Sequence, residues 1–582
     1  MVMQKLLIKK RELNTQINWP ETLHPLLQRI YSGRKIQSID ELDLSLSKLL
    51  PPDDLKNIHH AVELLTESLN KQHSILVVGD FDADGATSSA LLIRVLRRFG
   101  FARVDYLVPN RFAYGYGLTT GIVKEALENK PDLIITVDNG ISSLDGVALA
   151  KANGVKVLVT DHHLPGEKLP DADVIVNPNQ PEDGFSSKSL AGVGVVFYLL
   201  VALRRQLREI NWFEQEGIQE PNLADYLDIV ALGTVADVVP LDRNNRILVN
   251  EGLKRIRAGC CVPGIAALLQ VANKNPESLV ASDLGFAIGP RLNAAGRLDD
   301  MSLGIECLLA DGSEAYDYAS QLDSLNRERR EIETGMKAEA MQYLETLDVE
   351  SDSLFGLALY DESWHQGVIG ILASRVKDRV HRPVIIFAPG DEGEIKGSAR
   401  SIPGIHIRDV LEIISAQNPG LIIKFGGHAM AAGLTILEKD FEDFSRLLND
   451  CVQQVANDEI LENVLHSDGE VSEEYLNLAI VEMLNQAGPW GQAFPEPMFT
   501  GHFRLLNQRI LKERHLKVEL APVDSTQNVV LDGIVFNLFD ETNPPREIQT
   551  LVELVYKLSI NEFRGHKNIQ ILIEHILEAE HA

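Results

Sequence analysis

The stretch Val77-Val78-Gly79-Asp80-Phe81-Asp82-Ala83-Asp84-Gly85 sets three carboxylates at alternate positions directly behind an apolar run, residues 74–78. The run reads as a buried strand. Three like charges in one tight loop repel each other unless a cation neutralises them. Gly85 then releases the chain into residues 86–99, whose apolar periodicity predicts a helix. The loop therefore belongs at the carboxyl end of a strand, where open α/β sheets bind ligands.

Outward from that loop, residues 50–310 alternate short β-rich runs with helical patterns. Strands are predicted at 74–78, 104–108, 133–137, 155–160 and 174–176. This is the pattern of a parallel, doubly wound sheet. Four acidic or imidazole sites share one topological address in it. Asp80, Asp82 and Asp84 follow the first strand, Asp138 the third, and Asp161, His162 and His163 the fourth. Asp237 follows another apolar segment, residues 229–232, and is placed on the same edge. Strand ends of a parallel sheet converge, so these groups can meet despite their separation in sequence.

Carboxylates with one or two imidazoles suit divalent manganese well and magnesium less well. Six or more such ligands can hold two ions, which together clamp a phosphate and activate water. Singly, an Asp behind a strand is more often a helix cap, and a His-His pair is more often surface or core than ligand. The combination on one edge reverses those odds. A calcium loop of the EF-hand type is excluded, because Leu91 stands where a twelfth-position glutamate is required.

Beyond the sheet, residues 315–347 turn helical and strongly charged. They read as one long strut, with two helices broken near Gly335 as the alternative. A second α/β unit covers residues 354–448, with strands near 355–360 and 384–387 and a glycine-rich motif at 426–433. The remainder opens with helical segments and continues with β-like runs at 499–506, 515–520, 528–536 and 552–560. A small antiparallel barrel is expected there. Arg504, Arg509, Lys512, Arg514 and Lys517 form a basic run in it, beside Phe503 and His515. Charge and aromatic rings in a barrel suit single-stranded nucleic acid; a solvated face is the plainer reading.

The chain has 582 residues and a net charge of −29. That charge excludes a nucleic-acid binder coated in positive charge, though not a local basic groove. The longest apolar run, residues 190–203, is too short for a membrane span and reads as a buried helix. No secretory signal is read at the N-terminus. The four cysteines show no metal-ligand spacing, which points to a reducing, cytoplasmic setting without disulfides.

Asp161-His162-His163 resembles the name-giving triplet of the DHH phosphoesterase superfamily. Asp80-Phe81-Asp82-Ala83-Asp84-Gly85, Val137-Asp138-Asn139-Gly140 and Gly233-Thr234-Val235-Ala236-Asp237 resemble the superfamily's bacterial single-strand-specific exonucleases. So do the stretches 289–297, 364–370 and 426–433. The resemblance implies a parallel-sheet DHH domain at 50–314, behind an N-terminal segment at 1–49. It implies a connecting helix at 315–350, a smaller α/β DHH-associated (DHHA1) domain at 351–450, and an OB-fold-like barrel domain at 451–582.

It implies 5′-to-3′ degradation of single-stranded DNA to mononucleotides with two divalent ions, in recombination and repair. Asp82, Asp84, Asp138, His162 and Asp237 are the implied metal ligands, with Asp138 as bridge. Asp80 and Asp161 are ligands or orienting carboxylates, and His163 faces the phosphate. Arg291, Asn293, Arg297 and Arg400 are read as phosphate contacts because the arginine fork suits phosphate oxygens, with a surface salt bridge as the alternative for each arginine. Gly426, Gly427 and His428 are read as a further phosphate contact, with a plain tight turn as the alternative. Trp364 and His365 are read as base-stacking groups, with a buried core Trp as the equal alternative for Trp364. Arg111 is a further substrate contact, with Tyr114 and Tyr116 near it as weaker stacking candidates. A single-strand-binding protein and a helicase are implied partners of a monomer. A phosphatase of short oligonucleotides and a non-catalytic single-strand-binding scaffold are the rival readings.

Overall fold

The computed structural model describes residues 6–109, 116–346, 354–525, 529–539, 548, 550–563 and 565–578. Strands β1 (Ile75–Gly79), β2 (Val104–Leu107), β3 (Leu133–Val137), β4 (Lys156–Thr160) and β5 (Val174–Val176) form one sheet. It is parallel throughout, in the order β2-β1-β3-β4-β5. β1 and β3 are buried at every position. Burial on both faces is why parallel strands read as unbroken apolar runs. β1 lies between β2 and β3, so the chain leaves it first to one side and later to the other. The carboxyl ends of β1 and β3 flank that switch point, where open sheets form their binding crevice.

Helix α1 (Ala83–Phe99) follows β1 and packs against α2 (Gly192–Glu209) and α3 (Leu227–Ala236). The apolar segment ahead of Asp237 is a helix, and Asp237 is its C-cap. Residues 227–234 are buried on every side. Such a helix shows no amphipathic period, so its apolar run imitates a strand. α4 (Gly289–Leu298) carries the motif at 289–297. α5 (Glu314–Thr346) is a single helix of 33 residues, about 50 Å long. It does not break at Gly335.

The second sheet holds β6 (Leu357–Tyr360), β7 (Val384–Pro389), β8 (Glu394–Arg400), β9 (Ile422–Gly427) and β10 (Ala431–Leu437). Their order is β9-β10-β8-β7-β6, with only β6 and β7 parallel. Side chains alternate across it with period two. Ile385 and Phe387 face one core with α7 (Ile407–Gln417) and α8 (Phe441–Val455). Val384 and Ile386 face another with α6 (Ile369–Val380) and the second half of α5.

The barrel is closed in the order β11 (Phe499–Leu511), β12 (His515–Pro522), β13 (Leu531–Val535), β15 (His566–Glu578) and β14 (Leu551–Phe563). The fifth strand, β15, adds to the four expected. Its pairing with β13 is parallel, in a barrel otherwise antiparallel. Closure leaves no open sheet edge.

The chain forms two compact units, residues 1–9 with 324–465 and residues 10–323 with 466–582. The barrel therefore clusters with the parallel sheet. Among the described residues no helix is long and apolar enough to cross a membrane.

Candidate metal centre

The acidic loop is built by close approach. Asp82 caps α1, its Oδ1 accepting from the Asp84 and Gly85 amides at 2.9 and 3.1 Å. A Cβ added at Gly85 would lie 2.3 Å from the Asp80 carbonyl oxygen, so only glycine lets the helix start there. α4 closes over the loop. Asn293 Oδ1 accepts from the Ala83 amide at 2.8 Å, and a Cβ at Gly296 would lie 1.9 Å from the Phe81 carbonyl oxygen.

Asp84 is fully buried against the start of α2. Its two oxygens accept from the Gly192 and Val193 amides at 2.6 and 2.9 Å. The positive end of a helix dipole favours that carboxylate. Asp138 sits at φ +60, a left-handed conformation that Asp tolerates better than most residues. A Cβ at Gly192 would lie 2.6 Å from the Asp138 Cβ. The next residue, Asn139, donates from Nδ2 to the carbonyls of Val78 (3.0 Å) and Val137 (2.9 Å). It thereby staples β1 to β3 under the ligands.

The structure brings Asp80, Asp82, Asp84, Asp138, His162, His163 and Asp237 together. The atoms of Asp80, Asp82 and Asp138 lie within 4.8 Å of one another, as do those of Asp84, His162 and Asp237, and of Asp138, His162 and His163. The first two sets share no member and meet where His162 Nε2 stands 3.1 Å from Asp138 Oδ1. That nitrogen is also 3.4 Å from Asp237 Oδ2. All three atoms are buried and find no hydrogen-bond partner in the described chain. Buried polar atoms left without partners are costly. Hard oxygens with an imidazole nitrogen are the donor set of a divalent cation. The edge is a divalent-metal centre by its chemistry.

Its electrostatics agree. Burial first, then Asp237, pushes the Asp84 carboxyl up to about 7. Burial and then Asp82 do the same to Asp237. Burial and then Asp84 push Asp138 well up. His162 is held below its usual range by burial and by His163. A cation removes the repulsion and lets these groups ionise.

Asp161 plays another part. Burial opposes its charge, but His163 outweighs that and keeps it low. Its oxygens accept from the amides of Ile141 (2.9 Å), His162 (2.7 Å) and His163 (3.1 Å). Oδ1 also accepts from His163 Nδ1 at 2.7 Å. Burial opposes charging His163 as well, yet Asp161 lifts it to about 9. Asp161 thus orients the imidazole rather than joining the ligand sets.

Two contributors, Asn177 and Asn179, escape a reading by residue type, and Tyr116, read as a candidate beside Arg111, bonds to the site's own groups. Tyr116 Oη donates to the Asp138 carbonyl at 3.2 Å and lies 3.0 Å from His163 Nδ1. Asn177 and Asn179 donate to the carbonyls of His163 (2.9 Å) and His162 (2.6 Å). The asparagines directly follow β5, so the strand-end address that marks the ligands was a usable signal for them too.

Two substrate assignments are corrected. Trp364 is buried in an apolar core, its Nε1 donating to Glu339 at 2.8 Å, and offers no face for a base. Arg291 is buried, with Nε and Nη2 on Asp323 Oδ1 at 2.9 and 2.8 Å and Nη1 on the Ala287 carbonyl. Its fork is spent on protein, and it ties α4 to α5. Asn293 holds the metal loop, as above, and Arg297 lies half-buried on α4. Arg111 and Tyr114 fall outside the described residues.

The remaining candidates belong to the other compact unit. His365 is exposed, its Nδ1 accepting from the Gly367 amide at 3.0 Å. Arg400 is half-buried over the start of α6, where a Cβ at Gly370 would lie 2.9 Å from Nη2. Gly426 and Gly427 end β9. Gly427 has φ +146, and a Cβ there would lie 2.5 Å from the Ala431 carbonyl oxygen. His428 is exposed on that turn, its amide donating to the same oxygen at 2.8 Å.

In the barrel, Arg504, Arg509, Lys512 and Arg514 are exposed on the β11–β12 hairpin, and Lys517 pairs with Asp532 at 3.5 Å. Phe503 is buried core and not a stacking face. His515 packs edge-on against the exposed Phe536.

Residues 74–234 match the DHH family, N-terminal domain; residues 352–454 match the DHHA1 domain; residues 467–575 match the RecJ OB domain. Together they define a DHH–DHHA1 protein with a RecJ-type OB barrel. The chain is 54% identical to the single-stranded-DNA-specific exonuclease RecJ of Dickeya dadantii, over 97% of this chain and 98% of that one. It is 52% identical to the Escherichia coli protein of that name, over 98% and 99%. The crystal structure of RecJ in complex with Mn2+ from Thermus thermophilus superposes with a TM-score of 0.77 at 29% identity. That match covers 99% of this chain and 80% of the other. The chain belongs to the RecJ family.

Proposed function

We propose that this chain is a single-stranded-DNA-specific exonuclease that holds two divalent cations and releases mononucleotides from the 5′ end. One observation carries the reading. Two separate sets of buried and half-buried donors, meeting at Asp138 and His162, occupy the switch point of the sheet. Asp80, Asp82 and Asp138 would hold one cation, and Asp84, His162 and Asp237 the other, with Asp138 between them. Manganese suits the mixed carboxylate–imidazole set better than magnesium.

When bound, such a pair neutralises phosphate charge, lowers the pKa of water and stabilises the leaving oxygen. The chain's own residues do the rest. Asp161 fixes His163 through Nδ1, which turns Nε2 to the far side of the ring. Held charged at neutral pH, His163 donates there to a phosphate oxygen. Gly426, Gly427 and His428 offer backbone amides and an imidazole to another phosphate. Arg297, Arg400 and Arg111 add charge, and His365 a ring. The basic hairpin of the barrel tracks the strand by charge. The family supports roles in recombination, mismatch repair and base-excision repair in the cytoplasm. It also supports a single-strand-binding protein and a helicase as partners, and the chain is proposed to act as a monomer.

The test is digestion of 5′- and 3′-labelled single strands and blunt duplexes with manganese, magnesium or chelator, beside Asp82→Ala. Metal-dependent release of mononucleotides from 5′ ends of single strands alone, lost in the variant, is expected. Hydrolysis of dinucleotides only would transfer the site to small substrates. Binding without any cutting would leave a scaffold.

A further inference from the structure

Beside the metal centre, within the same compact unit, lies a cleft of about 350 Å³. Val238 lines it directly after the ligand Asp237, 62% exposed and at φ +62. A β-branched residue in the left-handed region is strained and persists only where its surroundings impose it. Another wall is a π-helical turn, Leu284–Ile288, which carries Phe286 at 81% exposure. Such turns are rare and concentrate at functional sites. This one lies against the end of α3. A Cβ at Gly285 would be 3.3 Å from Val235 Cγ1, and one at Gly289 3.1 Å from Ala236 Cβ. The cleft and the metal ligand therefore share the last turn of α3.

The lining suits a base and not a phosphate. Phe286, Val238 and the Trp490 indole supply apolar surface, and Asn485 and Gln492 supply carboxamides. Both cations there are tied to protein acceptors. Arg257 Nε donates to the Leu279 carbonyl at 2.8 Å, and Lys557 pairs with Glu496 and Glu574 at 3.0 and 3.3 Å.

We propose that this cleft receives an unpaired base of the single strand, stacked on Phe286. The inference rests on the nuclease reading and adds to it a contact made by π surface rather than by charge.

The experiment steps one abasic nucleotide along a single strand and measures KM and kcat with the full chain and manganese. Wild type should show KM about tenfold higher when the gap falls at the position the cleft holds. Phe286→Ala should raise KM on the intact strand by a similar factor, with kcat kept, and lose nothing further from that gap. Phe286→Trp should restore both. The factor should not change with salt, because stacking releases no counterions. An unchanged KM in Phe286→Ala, or losses that simply multiply, overturns the proposal. So does a changed inhibition constant for the mononucleotide product, which would place the released nucleotide in the cleft. A wild type that degrades no single strand overturns the nuclease reading, and this inference with it.

Discussion

Stripping the cations from the acidic edge tests its electrostatics directly. In the metal-free chain, burial and then Asp82 lift Asp237 from 3.8 to about 7. The unfolded chain gives up that proton near 3.8, while the folded chain keeps it to about 7. Between these values the unfolded state binds fewer protons, so stability falls as pH rises. The gap is equivalent to about 4 kcal/mol. The Asp237 side chain is 20% exposed, and water screens part of that, leaving about 2–4 kcal/mol. Asp84 follows the same sign over the same window. His163, raised to about 9, contributes stability below 6.5 that is lost as pH climbs through 9. His162, lowered, works the other way as pH rises toward 6.5. The net charge of −29 adds a slope of its own.

Asp237→Asn isolates the site, because it keeps the shape and removes one titration. Urea unfolding in chelator, at about pH 4.5 and about pH 8, should show wild type losing about 2–3 kcal/mol more than the variant. Saturating manganese should abolish the difference in wild type by displacing the protons. Parallel pH curves for the two proteins in chelator would refute the reasoning.

Asp138→Asn keeps a left-handed backbone that asparagine tolerates. Circular dichroism should stay normal while nuclease rate drops more than about 100-fold, beyond the loss of an orienting partner; retained turnover with manganese would remove Asp138 from the bridging role. Arg291→Met removes the two guanidinium contacts to the buried Asp323, so unfolding should cost about 1–3 kcal/mol less. The salt slope of single-strand binding should not change, and a shallower slope would return Arg291 to the phosphate contacts. Lys512→Ser with Arg514→Ser should lower that slope by about 1.4, at about 0.7 per lost contact, and leave hydrolysis of short oligonucleotides unchanged.

The parallel sheet was legible because its two central strands are buried at every position and are almost wholly apolar. The acidic cluster was legible because several carboxylates and imidazoles share one strand-end address, which no single cap explains. The element ahead of Asp237 was legible only as an apolar segment, since a helix buried all round is as featureless in sequence as a strand. β15 was missed although Ile569, Ile571 and Ile573 alternate in it. The substrate residues were harder for a different reason. Residue type declares what Arg291 and Trp364 can bind, not what they already bind. The partner of Arg291 stands 32 positions away, and that of Trp364 stands 25 away. No local pattern announces either.

The same distinction explains how the centre is held. Its carboxylates repel one another in the metal-free fold, so their own interactions cannot position them. Position comes from groups that never meet a cation. The start of α2 grips Asp84, Asn139 locks the two strand ends, and Asn293 clamps the loop from α4. Arg291 in turn fixes α4 to α5 through Asp323. A motif that reads as a row of phosphate contacts therefore acts, for at least two of its members, as the frame that keeps like charges together. Side-chain chemistry alone does not reveal this frame, because only the packed structure shows which polar groups are already satisfied.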